Sequence, residues 1–322
     1  MMDIQYFTKE DVDFTVFEAL LTPDQVPMEH FYLGIAVREG GQALAKAALY
    51  LNPDVVYLSY KVGLVGAYAA TEDFAACKLL FETVEELARH LGLDMLLGPM
   101  NGSTWEDYRF VDDPGRAPFL MEKIHPTYYS QQWQSCGFEA IARYYSSESF
   151  QLQVHDDAVL TTEKRLQEEG VQIRPIDLAS YEEELRGIHP FLSHAFSTNF
   201  LYSPIGEQAF VDKYLPIKNF LQSDFVLIAE HRGKVVGVFL CVADVLDKTE
   251  KTLIIKTIAR DPAPVYSGLG HVMAAQVYRQ AYEQQFTRII HAFLKEEGTS
   301  TPISQHFYGL PFKTYSLYGK VL

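Results

Sequence analysis

The segment with the clearest chemical potential is a glycine-containing loop between an apolar run and a helix-like segment. The apolar run TLIIKTIA ends at Ala259, the loop continues to His271, and HVMAAQVYRQAYEQQ extends from that residue. A loop that opens a helix leaves backbone N–H groups without intrahelical partners, and the helix dipole adds partial positive charge there. Gly268 and Gly270 lack a Cβ, so a phosphate can approach the main chain. The spacing predicts a pyrophosphate site, and a simple turn with a helix start is the alternative without a ligand.

Two other kinds of cofactor site are not supported by the sequence. A GxxxxGK[ST] loop is absent, and GLG lacks the third glycine and the ribose-binding acid of a dinucleotide fingerprint, so neither ATP nor NAD is expected. Three isolated cysteines, Cys77, Cys136 and Cys241, form no CxxC pair. We therefore expect no metal and no disulfide framework, and a reducing, cytoplasmic location.

The elements around the loop follow a recognisable order in the second half of the chain. A short strand, two helical segments and a hairpin turning at 231–234 precede the apolar strand, and a helix, the strand RIIHAFL, a short helix and a terminal strand follow the loop. This order predicts a βαβ unit with two parallel strands within a domain 171–322. Residues 157–170 are predicted to form a linker helix, with Thr161 or Thr162 as N-cap and Gly170 as the C-terminal stop.

The first half repeats the order imperfectly. Its strand, the long helix within TEDFAACKLLFETVEELARHLG and the strand DMLLGPM match the later elements, and Phe138 matches Phe312. The first copy is longer between its strand and Phe138, which predicts an insertion near 101–124 in a domain 1–156. One of only two tryptophans, Trp105, lies in this insertion. A lid or partner contact and a plain scaffold loop are both open interpretations.

The loop and its surroundings resemble the GNAT superfamily of acyl-CoA-dependent N-acyltransferases. The segment VYSGLG, residues 265–270, stands where that family has Q/R-x-x-G-x-G/A, and Val265 replaces the leading residue. The segment HFYGLPF is similar to the family's LYxxxGF, and the first half is similar to a degenerate copy in bacterial tandem GNAT-like proteins. The resemblance implies an α+β fold, with two tandem domains that each have a mixed, mostly antiparallel sheet flanked by helices.

The same resemblance implies where acetyl-CoA or another acyl-CoA binds. The pyrophosphate is expected on the main chain of Tyr266, Ser267, Gly268, Leu269, Gly270 and His271. The pantetheine arm is expected along Thr257, Ile258 and Ala259. In the first half, GAYAATED offers no second glycine, and Glu72 and Asp73 would repel a phosphate. We therefore expect CoA only in the second half.

The implied chemistry is direct acyl transfer, in which an amine attacks the thioester, a strand N–H stabilises the oxyanion and a tyrosine protonates the leaving thiolate. Tyr308 is the candidate acid, although counting back from Phe312 reaches Phe307. His291 is the candidate base, and a hydrogen-bonded core histidine is the alternative. The acceptor pocket is expected to include His194, Phe196 and Tyr202, with exposure on a helix surface as the alternative for the histidine.

The charge distribution supports this division of labour. The chain has 322 residues and a net charge of −15, of which residues 1–160 hold −14 (10 basic, 24 acidic) and residues 161–322 hold −1 (17 basic, 18 acidic). An anionic cofactor is repelled less by the second half, and neither nucleic acid nor a membrane is expected as partner. The leading hypothesis is an N-acyltransferase for a small-molecule or peptide amine. A non-catalytic ligand-binding or interaction protein and a tandem aminoacyl transferase remain as rivals.

Overall fold

The described residues of the first half form seven strands and three helices. The structure is a computed structural model that describes residues 1–11, 14–21, 25–112 and 116–322, so positions 113–115 of the predicted insertion lie outside the described residues. The elements of this half are β1 (Asp3–Phe7), α1 (Phe14–Ala19), β2 (Phe31–Glu39), β3 (Gln42–Tyr50), β4 (Val62–Ala70), α2 (Phe74–His90), β5 (Met95–Gly98), β6 (Phe110–Val111), α3 (Tyr128–Ser135) and β7 (Glu139–Ser149).

The second half follows the order expected from its sequence. Its elements are α4 (Asp157–Glu168), β8 (Gln172–Pro175), α5 (Tyr181–Phe196), α6 (Glu207–Tyr214), β9 (Val226–His231), β10 (Lys234–Ala243), β11 (Thr252–Arg260), α7 (Leu269–Glu283), β12 (Arg288–Lys295), α8 (Thr301–His306) and β13 (Leu310–Val321). The β9–β10 turn is the predicted one, and Arg232 and Gly233 both have positive φ, at 52° and 71°. Such turns match the twist of the two strands they join.

The strands of both halves form one continuous sheet. Its order is β1-β2-β3-β4-β5-β13-β7-β12-β11-β10-β9-β8, and β6 pairs with β13. The last strand of the chain, β13, therefore pairs with β5 of the first half, while β7 of the first half pairs with β12 of the second. The strand next to β5 of the first half thus comes from the second half, and a strand next to β12 of the second half comes from the first. The predicted domains 1–156 and 171–322 thus share one sheet.

Two parallel strand pairs interrupt the antiparallel pattern of the described strands, β4 with β5 and β11 with β12. Each is the βαβ unit that the sequence predicts, with α2 or α7 as its crossover helix. The β11–β12 pairing runs only from Thr252 opposite Arg288 to Ile255 opposite His291. Beyond that point the two strands diverge. This mixed, mostly antiparallel sheet with flanking helices confirms the predicted fold class.

The two faces of the second half's sheet carry different helices, because successive strand residues point to opposite sides. On β10, Phe239 packs in the cluster that contains α7 and α4. Its neighbours Val238 and Leu240 pack in the cluster of α5 and α6 on the other face. Helices α7 and α5 therefore lie on opposite sides of the sheet. None of the helices in the described ranges combines the length and apolar character needed to cross a membrane.

Helix α4 begins at Asp157, the first residue of the predicted linker helix, but its N-cap is not the predicted one. Its N-cap is Asp156, whose carboxylate accepts hydrogen bonds from the N–H groups of Ala158 and Val159 at 2.8 and 3.1 Å. The prediction of Thr161 or Thr162 as N-cap is therefore wrong. Both hydroxyls lie inside the helix and donate to carbonyl groups one turn back. The predicted stop is confirmed, since Gly170 follows the helix with a φ of 91°.

Candidate functional site

The loop between β11 and α7 has the backbone geometry of an anion site. Gly268 is the N-cap of α7 with a φ of 84°, in the left-handed region that favours glycine. No side chain caps this helix end, so the N–H groups of its first turn lack intrahelical partners. A Cβ at Gly270 would lie 3.0 Å from Ile303 Cδ1 and 3.9 Å from Arg260 Cδ. The side chain of a cationic residue, Arg260, therefore lies beside the first turn of α7.

Helix α4 holds this loop from the side. Arg165 donates hydrogen bonds to the carbonyl groups of Val265 and Ser267, at 3.1 and 2.7 Å. A Cβ at Gly268 would lie only 2.6 Å from Thr162 Cγ2. The loop carbonyls on this side are therefore bound by α4. The contact explains why the linker helix packs into the second half.

Two histidines lie next to the loop. His271, in the first turn of α7, makes an edge-to-face contact with His306 at 5.0 Å, and His306 Nε2 lies 3.0 Å from Asp156 Oδ2. Burial, followed by the nearby His306 and Arg260, lowers the pKa of His271. This shift favours the neutral imidazole of His271, which has one ring N–H to donate and one ring nitrogen to accept.

The diverging strands supply a free backbone edge beside the loop. Thr257, Ile258 and Ala259 pair with β10 on one side, but β12 pairs no further than His291 on the other. The departure of β12 coincides with a register shift and with Phe293 at a φ of 59°. A free strand edge offers N–H and C=O groups to an extended ligand. The segment expected to contact pantetheine is thus the segment that the structure leaves without a second strand partner.

The candidate acid Tyr308 lies at the end of the same half. It follows α8 at a φ of 58° with 53% of its surface exposed. The preceding Phe307 is fully buried and stacks on Tyr278 with ring centroids 4.6 Å apart. Phe307 therefore occupies the core position of this segment, and Tyr308 lines neither of the two cavities described below.

The candidate base His291 lies in the interior. It is 1% exposed, and its Nε2 lies 2.7 Å from the hydroxyl of Tyr278. Burial lowers the pKa of His291 to about 4, so the imidazole is neutral at physiological pH. This is the environment of a hydrogen-bonded core histidine, the alternative that the sequence left open.

The predicted acceptor residues separate into two groups. His194 is exposed on α5. Phe196 and Tyr202 instead surround Trp105 of the insertion, with ring centroids 6.1 and 6.2 Å away, and the Trp105 indole donates to the carbonyl of Ser203 at 2.9 Å. The insertion of the first half therefore reaches the second half, as the lid hypothesis requires.

A cavity of about 290 Å³, the interdomain cavity, lies where β11 and β12 separate. Its lining comes from the insertion, from α6 and the turn after it, and from β10 to β13. The lining residues are Thr104, Trp105, Glu106, Asp107, Tyr108, Arg109, Val111, Met121, Glu122, Lys123, Lys213, Tyr214, Ile217, Leu240, Lys256, Phe293 and Tyr315. Both halves are therefore needed to form it.

The sequence expectations missed Lys256 as a cavity residue and included Arg109 only as part of the insertion, a lid candidate. Lys256 is the first β11 residue after the pairing with β12 ends. Burial, then repulsion from Arg109 and Lys213, lowers its pKa to about 8. A signal was present, since Lys256 is the only charge within the run TLIIKTIA. No local sequence pattern relates Arg109 to that strand.

The equivalent region of the first half is occupied by its own side chains. Asp73 caps α2 and accepts from the N–H groups of Ala75 and Ala76 at 2.9 and 3.0 Å. The Tyr129 hydroxyl accepts from the Ala70 N–H at 3.1 Å on the diverging end of β4. A neighbouring cavity has a volume of only about 60 Å³. The donors that α7 leaves open are therefore bound to a carboxylate in α2.

Sequence comparisons give a partial relative and no family. No family model matches the chain. A bacterial ceramide synthase from Caulobacter vibrioides is 23% identical over 187 residues, which are 57% of this chain and 48% of that protein, so the match spans about half of the relative.

Solved structures match the whole chain at low identity. A tandem GNAT protein from the clavulanic acid biosynthesis pathway is 10% identical with a TM-score of 0.53, covering 100% of this chain and 98% of its own. A GCN5-related N-acetyltransferase from Sphaerobacter thermophilus is 11% identical with a TM-score of 0.52, covering 99% and 95%. One from Anabaena variabilis is 8% identical with a TM-score of 0.55, covering 99% and 73%. This chain therefore has the fold of the GCN5-related N-acetyltransferases, in its tandem form.

Proposed function

We propose that this protein transfers an acyl group from acyl-CoA, most simply acetyl-CoA, to an amine bound in the interdomain cavity. The observation that carries the proposal is the path of the chain itself: Lys256 lines the cavity, the edge of β11 after it has no partner from β12, and α7 begins without a side-chain cap. The GNAT fold of the structural neighbours and the ceramide synthase name of the partial relative support acyl transfer.

The chain's own groups divide the work along this path. The N–H groups of Leu269 to His271 bind the pyrophosphate, with Arg260 as a nearby cation. The edge of β11 from Thr257 to Ala259 holds the pantetheine arm by main-chain hydrogen bonds, and a β11 N–H near the divergence stabilises the oxyanion. The cavity holds the amine against the thioester, which converts a bimolecular reaction into an effectively unimolecular one.

Release of free CoA thiol tests the proposal. The full chain is incubated with acetyl-CoA or a longer acyl-CoA and a panel of amines, and thiol release is compared with hydrolysis without amine. We expect amine-dependent release that is lost in Gly270→Glu, because a carboxylate at the start of α7 repels the phosphates. Gly187→Glu is the matched control, since a side chain there meets nothing within 4 Å. Absence of amine-dependent release across the panel would contradict the proposal.

One observation favours a second candidate, a protein that binds acyl-CoA without turning it over. Tyr308 is exposed and His291 is buried, and neither lines the interdomain cavity. Binding of acetyl-CoA without thiol release would support this alternative. Tyr308→Phe adds a direct test of the predicted acid, which requires a lower rate at nearly unchanged CoA affinity.

A further inference from the structure

The charges around the interdomain cavity are incompletely neutralised. Its three carboxylates all have partners: Glu106 with Lys213 at 2.7 Å, Asp107 with Lys123 at 3.7 Å, and Glu122 with Lys313 at 2.6 Å and with the Tyr315 hydroxyl at 2.7 Å. Each carboxylate of the lining is therefore paired with a lysine of the chain.

Two cations of the lining have no such partner. Within the described part of the chain, Lys256 forms no hydrogen bond or ion pair, and Arg109 forms none with a carboxylate. Arg109 Nη1 donates to the Tyr108 hydroxyl at 2.6 Å, and its guanidinium lies 4.2 Å from the Phe293 ring centroid and 4.3 Å from that of Tyr108. Aromatic rings thus fix the guanidinium and leave donors of its edge for a ligand.

We propose that the acceptor is an amine that also carries a carboxylate, and that Arg109 and Lys256 bind this carboxylate. The inference rests on the proposed function and names the substrate class of its acceptor site. A guanidinium edge matches a carboxylate in a bidentate arrangement, and an ammonium adds a second charge-assisted contact.

The same two cations repel a protonated amine. Like charges disfavour the charged form of a neighbouring group, so the two cations lower the pKa of an ammonium group held near them. Arg109 acts in this way on Lys256, in addition to burial. The neutral amine, which is the form that attacks a thioester, is therefore favoured, while the carboxylate supplies the attraction. The volume of about 290 Å³ is at the lower end of small-molecule sites, which fits an acceptor of amino-acid size.

Two kinds of acceptor pair test the inference: pairs that differ only in the carboxylate, and one pair that differs in a phosphate. The probes are L-leucine and L-phenylalanine against their amides, and O-phosphoethanolamine against ethanolamine, in the thiol-release assay. Binding of the N-acetyl amino acids and of their amides is measured by calorimetry without CoA. We expect the carboxylate member to be favoured by at least about tenfold, the size of a charge-assisted contact.

Substitutions assign that preference to the two side chains. Arg109→Met and Lys256→Met should each reduce the preference for the carboxylate over its amide, measured within each variant, to less than about threefold. Arg232→Met and Lys234→Met, which remove exposed cations of the β9–β10 turn, should retain it. Lys256→Met keeps the test decisive if loss of the stacked Arg109 prevents folding.

Three results would overturn the inference: amides used or bound as well as the carboxylates, a preference that survives both substitutions, or a larger preference in the phosphate pair. Failure of the proposed function is separate. If no amine releases thiol, acyl transfer is contradicted, and calorimetry with the N-acetyl amino acids still decides the carboxylate site.

Discussion

At the scale of the residue, two titratable groups on adjacent strands lie close to the point where β11 and β12 diverge, and their surroundings differ. His291 lies inside the core against Tyr278, whereas Lys256 lines the cavity. Both lose charge-stabilising water, and the pKa of each is lowered, to about 4 and about 8 respectively. At pH 7 the imidazole is therefore neutral and the lysine is mostly charged.

His291 should make the protein less stable in acid. The unfolded histidine, with a pKa near 6.5, binds a proton that the folded one does not bind until about pH 4. Unfolding therefore takes up a proton between about pH 6.5 and pH 4. As the pH falls through this range, the free energy of unfolding decreases by about 1.4 kcal/mol per pH unit, about 3 kcal/mol in total.

Urea titrations between pH 7 and 4 measure this effect. His291→Gln, whose amide can still reach Tyr278, should have a smaller pH dependence than the wild type, while His155→Gln, an exposed position, should match the wild type. An equal slope in all three proteins would refute the assignment.

Residue chemistry was the part of the site that the sequence predicted least. Gly268 and Gly270 were recognisable because a loop before a helix needs them. Lys256 and Arg109 were not, because their importance comes from two chain segments that meet only in the folded sheet. The catalytic roles of Tyr308 and His291 stay predictions.

At the scale of the element, most helices and strands followed their periodicity. The second half has the predicted order, and Pro216 explains why the helical segment after Gly206 ends as α6 and continues as a 3-10 helix, Leu215–Phe220. The N-cap of α4 was misplaced because two threonines resemble N-caps when their hydroxyl partners are unknown.

The packing of α4 on the loop between β11 and α7 can be measured with alanine substitutions. Gly268→Ala and Gly170→Ala both place a side chain at positive φ, a strain of about 1–3 kcal/mol. Gly268→Ala should cost more, because its Cβ would also lie 2.6 Å from Thr162 Cγ2, whereas at Gly170 the nearest atom is 3.9 Å away.

Thr162→Ala should remove this extra cost in the double variant and leave Gly170→Ala unaffected, as measured by urea unfolding. Strictly additive free energies for Gly268→Ala and Thr162→Ala would show that the two elements do not touch there.

At the scale of the whole molecule, the exchange of β7 and β13 joins the two halves. Calorimetry should therefore show one unfolding transition, because β5 of the first half and β12 of the second each lose a strand partner without the other half. Leu96→Ala in β5 and Phe239→Ala in β10, both fully buried, should lower the midpoint of the same transition. Two transitions, with only one shifted by each variant, would contradict the coupling.

The sequence could not predict this exchange. Both halves contain a strand after their last helix, and the same pattern of alternating residues fits pairing within a half or between halves. The internal repeat predicted two copies of one fold, while the joint sheet and the interdomain cavity depend on which strands become neighbours.

Calorimetric titration with acetyl-CoA tests the central claim most directly, using wild type, Gly270→Glu and Gly187→Glu. A single site per chain is predicted, because the α2 start is capped by Asp73 and the α7 start is open. Gly270→Glu should abolish binding and Gly187→Glu should preserve it. Binding that survives Gly270→Glu, or no binding to the wild type, would contradict the account.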